Sequence, residues 1–236
     1  MNINDNSCWA SMPNLRKAQG FTLAEVLITL VIIGIIAAIT VPTLNQKTKK
    51  EEYVVRLKKA YSTLSQATNM IIAEEGTPNA SKGGWASSSE NIYKLFKKHL
   101  VMAKDCDDSS GCFADGYYKT LAGDNWNNLE NAAYIPQKRL VLADGVAIMF
   151  DDTIYPECNG NWGGGSDGCE MIRIDINGHK KPNKFGRDHF WFIIKEKGLY
   201  PCGCENNSSD CIKEDGSLGK GTTCACKVLR EGAMNY

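Results

Sequence analysis

The chain has 236 residues, 43% hydrophobic and 23% charged, a balance that excludes both a disordered tail and a polytopic membrane protein. Lys and Arg total 27, as do Asp and Glu, so the net charge is zero and no overall basic field argues for nucleic-acid binding. The ten cysteines are unevenly placed: Cys8 stands alone, and the other nine lie beyond residue 100.

From Val26 to Leu44 nineteen residues carry no charge. As a helix at about 1.5 Å per residue they span roughly 28 Å, close to one hydrocarbon thickness. Arg16 and Lys17 precede the run; Lys47, Lys49 and Lys50 follow it. A secretory signal peptide has a shorter run with a small-x-small cleavage site beyond it, and none follows cleanly here. A buried core helix that is apolar on every face needs a large protein around it. The run therefore reads as a membrane span. Glu25 lies at its very start, within Phe21-Thr22-Leu23-Ala24-Glu25-Val26-Leu27. An acid at that depth is costly unless it meets a cation, which makes it a functional candidate.

Gly20-Phe21-Thr22-Leu23-Ala24-Glu25 directly before an apolar run resembles the prepilin signal of type IV pilins and type II secretion pseudopilins. The resemblance covers roughly residues 16–75 and is most specific over 20–42. It implies that a prepilin peptidase cuts on the cytoplasmic side after Gly20, that Phe21 becomes the methylated N-terminus, and that Glu25 serves assembly. It also implies that Pro42, twenty-one residues beyond the cut, bends the helix. The leader is twenty residues, longer than in many relatives; a start at Met12 gives nine. Cleavage there leaves the span attached as an anchor and frees an amine four residues from Glu25, about 6 Å along a helix. Between neighbouring chains such a pair would set register more than it would add stability. The implied partners are the inner membrane, the prepilin peptidase, and identical or related pilin subunits with their assembly machinery; no specific nucleic acid is expected. The implied location is a single-pass inner-membrane protein with its head outside the cytoplasm, and an extracytoplasmic fibre after assembly.

Beyond Pro42 helical periodicity resumes, so the proline should kink the helix rather than end it. Leu57, Tyr61, Leu64, Thr68 and Ile71 recur at spacings of three and four, with Ala60 and Ala67 beside them, and charged residues fill the other faces. Gly76 and Pro78 stop the pattern. One helix from about Phe21 to Glu75, roughly 80 Å long by the rise per residue, is expected. The chain then divides into a leader (1–20), a transmembrane or assembly segment (21–44), an amphipathic half-helix (45–76) and a cysteine-rich head (77–236).

In the head, Thr77–Gly84 reads as a loop and Tyr93–Leu100 as a short amphipathic helix with Lys97 and Lys98 solvated. Arg139–Ala143 and Val146–Phe150 flank Asp144-Gly145, a hairpin with a tight primed turn. Trp162-Gly163-Gly164-Gly165 reads as a flexible loop. Met171–Ile176 and His189–Ile194 are strands, the second followed by a Lys195–Gly198 turn. The expected fold is α+β and pilin-like: a long N-terminal helix on a C-terminal antiparallel sheet that buries one alternating face. Asp175, Asn177 and Asp188 offer hard oxygen ligands in a region similar to one found in pilin-like sheets, so calcium is one reading. The other is that Asn-Gly and Pro-Asn simply make turns; the acids and the spaced glutamate of an EF-hand are missing.

After leader removal nine cysteines remain: Cys106, Cys112, Cys158, Cys169, Cys202, Cys204, Cys211, Cys224 and Cys226. An extracytoplasmic head favours disulfides. Cys106–Cys112 and Cys158–Cys169 are spaced for local loops, whereas connectivity in the tail is open and one thiol is left over or pairs between chains. The alternative, a thiolate metal site from Cys202-Gly203-Cys204 and Cys224-Ala225-Cys226, has tighter spacing than structural zinc usually takes. His99, His179 and His189 sit in polar or turn contexts and read as surface residues. No catalytic motif is present, and the chain reads as a structural subunit rather than an enzyme, with no cofactor beyond the calcium reading. Three functions compete: a type II secretion pseudopilus or type IV pilus subunit, a minor tip pilin for adhesion or DNA uptake, and an anchored ectodomain that never polymerises.

Overall fold

The structure, a computed structural model, describes residues 20–130, 137–151, 154–155, 157–162, 165–205 and 210–236. Cys8, Met12, Arg16 and Lys17 of the leader, with Gly163 and Gly164, lie outside the described residues. Helix α1 runs Leu23–Glu75 with Pro42 inside it and no break at the proline. Nearby threonines turn their hydroxyls onto its carbonyls: Thr40 Oγ1 donates to Ile36 O (2.9 Å) and Thr43 Oγ1 to Thr40 O (2.8 Å). Gly76 ends it at φ 82°, donating its N–H to Ile72 O, a left-handed position that suits glycine.

Two compact units meet between Asn45 and Gln46. In the first, the apolar side chains from Phe21 to Leu44 are exposed on every face of the helix. In the second, α1 buries Tyr53, Val54, Leu57, Ala60, Leu64, Ala67, Thr68 and Ile71, the stripe its three-four spacing predicts. Tyr61, beside that stripe, stacks on Phe192 at 5.5 Å.

Helix α2 (Ser89–His99) opens on Ser88, whose side chain accepts from Asn91 N. Glu90 in its first turn and Lys97, Lys98 and His99 in its last complement the helix dipole. Among the described residues ten strands follow: β1 (Met102–Asp107), β2 (Tyr118–Lys119), β3 (Asn125–Asn127), β4 (Lys138–Leu142), β5 (Ala147–Phe150), β6 (Gly160–Trp162), β7 (Gly165–Gly168), β8 (Glu170–Asp175), β9 (His189–Lys195) and β10 (Gly198–Pro201). Helix α3 (Cys224–Glu231) comes last. Six strands form one antiparallel sheet in the order β1-β4-β5-β8-β9-β10; β2-β3 and β6-β7 are separate ribbons. This is the α+β, pilin-like arrangement the sequence implied.

Three expectations are corrected. The sheet buries both faces over β5, β8 and β9: Ile148, Ile172, Ile174, Phe190 and Phe192 join the core under α1, while Ala147, Met149, Phe113, Tyr118 and Phe185 form a second core. The β4–β5 turn is not of the primed two-residue type. Leu142 pairs with Val146 around Ala143-Asp144-Gly145, and only Gly145 has positive φ (87°), the three-residue loop with a glycine bulge. Trp162 and Gly165 are paired residues of the β6–β7 ribbon rather than members of a flexible loop.

Candidate functional site

Thr22-Leu23-Ala24-Glu25 has the spacing of a capping box, and the structure forms it. Thr22 N and Thr22 Oγ1 both donate to Glu25 Oε2 at 2.8 Å, and Glu25 N donates back to Thr22 Oγ1 at 3.3 Å. The first helical bond, Val26 N to Thr22 O, closes at 3.2 Å. Glu25 thus lies at the positive end of its own helix, where a carboxylate is favoured. Gly20 and Phe21 precede the cap, outside the helix and exposed. A Cβ built on Gly20 meets nothing within 4 Å among the described residues, so no contact there demands glycine. Thr22 is the capping partner of Glu25, legible in the sequence as a threonine three residues before the acid.

Residues 15–41 match the family model of the prokaryotic N-terminal methylation motif. This is the signature of type IV pilins and pseudopilins. No curated protein and no solved structure matches the chain. The matched segment holds Gly20, Phe21, Thr22 and Glu25 and ends one residue before Pro42. Such a motif implies processing by a prepilin peptidase and assembly with other pilin subunits. The exposed apolar span it includes fits a membrane anchor.

In the head, eight cysteines form four disulfides: Cys106–Cys112, Cys158–Cys169, Cys204–Cys226 and Cys211–Cys224. The two local pairs are those the spacing suggested. Cys202 is the ninth; it is free and buried, and burial pushes its thiol up to about 12, so it is a poor nucleophile. The Cys-x-Cys segments therefore cross-link the tail. They do not assemble four thiolates.

The structure brings Asp175, Asn177 and Asp188 together where β8 ends and β9 begins. Asp175 accepts from Tyr118 Oη (2.6 Å) and Asn177 N (3.0 Å). Asp188 accepts from Asn183 N (2.8 Å), Lys184 N (2.6 Å) and Asn177 Nδ2 (3.2 Å). All four carboxylate oxygens face N–H or O–H donors, and among the described residues no three His, Cys, Asp or Glu side chains converge to hold a metal. Calcium takes six to eight oxygens, so this donor set, as placed, fits a hydrogen-bonded turn better than an ion.

The surface reading of the histidines holds for His179 alone. His189 is fully buried because β9 is covered on both faces, and His99 is half-buried with Nε2 3.2 Å from Glu74. Burial raises Asp175 well above the usual carboxylate range, helped by the negative Asp188; burial likewise lifts Asp188 to about 6. Burial, with a smaller effect from Arg173, holds His189 well below its ordinary value.

These shifts oppose one another. As pH rises from about 4 through 6, the unfolded chain ionises both aspartates while the folded chain retains protons, so their contribution to stability is lost. As pH falls below about 6.5, the unfolded chain protonates His189 and the folded chain does not, so its contribution is lost in the other direction. Gln can accept the Trp191 Nε1 hydrogen bond that His189 Nε2 now takes at 3.2 Å. His189→Gln should therefore unmask the acids, giving an unfolding free energy that falls steadily from pH 4 to 6 in urea titrations. The parent should be flatter over that window. A variant whose stability rises with pH would remove the buried-acid account.

Proposed function

We propose that the chain is a structural subunit of an extracytoplasmic fibre, a type II secretion pseudopilus or type IV pilus, which polymerises through α1. The observation that carries the reading is the methylation motif set directly on an exposed apolar helix whose first turn is capped by Thr22 and Glu25. A secretory signal would be removed beyond its apolar run; a cut after Gly20 keeps the run with the head. An apolar surface on every face of a helix demands cover, and a bilayer or a bundle of like helices supplies it. The head then lies outside the cytoplasm, where its four disulfides are sustained.

The processing test is direct. Intact-mass and N-terminal peptide spectra of the mature protein should show a chain starting at methylated Phe21. A start beyond Leu44 would sink the reading, because the helix would then be a discarded signal. Gly20→Ala, which meets no clash in the chain, should slow cutting only mildly, while a bulkier residue there should block it and leave the leader attached.

A further inference from the structure

The charge that cancels over the whole chain is not spread evenly over the head. Ribbon β2–β3 lies on the second core and is stitched to two other segments. Lys119 N donates to Asn183 O (3.0 Å), Phe185 N to Lys119 O (2.9 Å) and Leu121 N to Lys220 O (2.8 Å). These bonds bring Lys119, Lys184 and Lys220 into one surface region. Arg187 follows a tight turn later, its N–H on Lys184 O at 3.0 Å, and Lys180 and Lys181 are exposed just before. Among the described residues none of these six cations joins an ion pair, whereas Lys59, Lys82, Lys94, Lys97, Lys138 and Lys195 are each neutralised by an acid. Lys184 is held below its ordinary value by partial burial and then by the positive Arg187 and Lys119, against a smaller opposite effect of the negative Asp188.

Trp126 stands among these cations, and Tyr117 lies two residues before Lys119 in the chain. Tyr117 is 64% exposed and Trp126 40%. Trp126 is fixed in place: its ring meets buried Phe185 edge-on at 6.4 Å, and Lys220 Nζ lies 4.5 Å from its centroid. Unpaired cations around a held, exposed ring suit a ligand carrying regular negative charge and open π-faces. A duplex hides its base faces, and an acidic polypeptide has no regular rings to offer. We propose that this surface binds single-stranded nucleic acid, with Lys119, Lys184, Arg187 and Lys220 taking phosphates and Trp126 and Tyr117 stacking bases. The site belongs to the head and stands whether or not the chain polymerises.

The test is fluorescence anisotropy with a labelled single-stranded DNA oligonucleotide and the full mature chain in neutral detergent, over a salt series. Binding should weaken as salt rises, with log K falling against log salt by about 0.7 per phosphate engaged. The pair Lys184→Glu and Lys220→Glu should weaken binding at least about tenfold and flatten that slope. Trp126→Ala should weaken it about tenfold with the slope kept, and Trp126→Phe should restore it, which separates a lost ring from a misfolded ribbon. Lys94→Glu, on α2, should change nothing. Four results would overturn the proposal: no binding at low salt, indifference to Trp126→Ala, equal affinity for duplex DNA, or displacement by polyglutamate at matched charge.

Discussion

Glu25→Leu should insert into the membrane and be cleaved after Gly20, yet be missing from the fibre. Insertion should be as good as the parent's, because leucine removes the cost of an acid at the edge of the bilayer. The loss at the helix start is modest: the Glu25 side-chain bonds to Thr22 go, and a cap is typically worth about 1 kcal/mol. Assembly is different. In the free subunit Glu25 Oε2 is satisfied by Thr22 of its own chain; in the proposed fibre the carboxylate would also meet the Phe21 amine of an adjacent subunit. Removing one partner of a buried pair costs about 3–5 kcal/mol because the other charge is left uncompensated. That is enough to reduce incorporation at least about a hundredfold.

Glu25→Gln keeps polarity without charge and should be nearly as defective. Thr22→Ala is the control: it loses the cap and keeps the carboxylate, so it should still enter fibres. Sheared surface filaments compared with membrane-bound subunit give the measurement. Normal incorporation of the Leu variant would remove the assembly role and promote the anchored ectodomain. Equal loss in Thr22→Ala would mean that the helix start matters, not the acid.

What was legible in the sequence was what single elements decide. The apolar run, the three-four stripe of α1, and its stop at Gly76 and Pro78 are each local, and each appears where expected. The two short cysteine loops were legible for the same reason. What the reading missed was decided by elements distant in the chain. Ribbon β2–β3 has only two and three residues, with a register shift and no apolar alternation, so nothing in Tyr118-Lys119 or Asn125-Trp126-Asn127 marks a strand. Yet this ribbon, with Phe113 and Phe185, covers the sheet's second face. The continuous apolar runs Ala147–Phe150 and Phe190–Ile194 carried that message, because a strand exposed on one face would alternate. The burial of His189 follows from the same cover. Helix α3 was hidden behind its cysteines: Cys224-Ala225-Cys226 drew attention as a cross-link, while the eight residues it opens have one strongly apolar side. The charge cluster was hidden too, since Lys119, Lys184 and Lys220 are far apart in the chain and only backbone pairing gathers them.

Loss of the tail disulfides should be the largest stability change the head undergoes. Cys204–Cys226 closes a span of 22 residues and encloses Cys211–Cys224, so the two nested bridges restrict the same unfolded segment. A loop of that length contributes about 3 kcal/mol by the chain-entropy estimate, and the inner bridge adds less because the outer one already limits it. Cys226→Ala should therefore lower Tm by about 6–12 °C, at about 2–4 °C per kcal/mol for a unit of this size. The native geometry sharpens the effect. Gly203 sits at φ 96° with Thr223 O only 2.1 Å from where a Cβ would be, and Cys226 N donates to Cys202 O at 3.1 Å. This close approach of the two segments leaves little slack for a substitute packing. Thiol counting distinguishes the outcomes. The parent mature chain should show one alkylatable thiol in denaturant and none when folded, since Cys202 is buried. Cys226→Ala should show Cys204 labelled in the folded state and Cys202 only after unfolding, with early proteolysis between Ile212 and Thr223. A parent whose Cys202 is found in a disulfide would overturn this connectivity, and a variant that melts with the parent would show that the tail is held by packing alone. The cross-links would then be incidental to its stability.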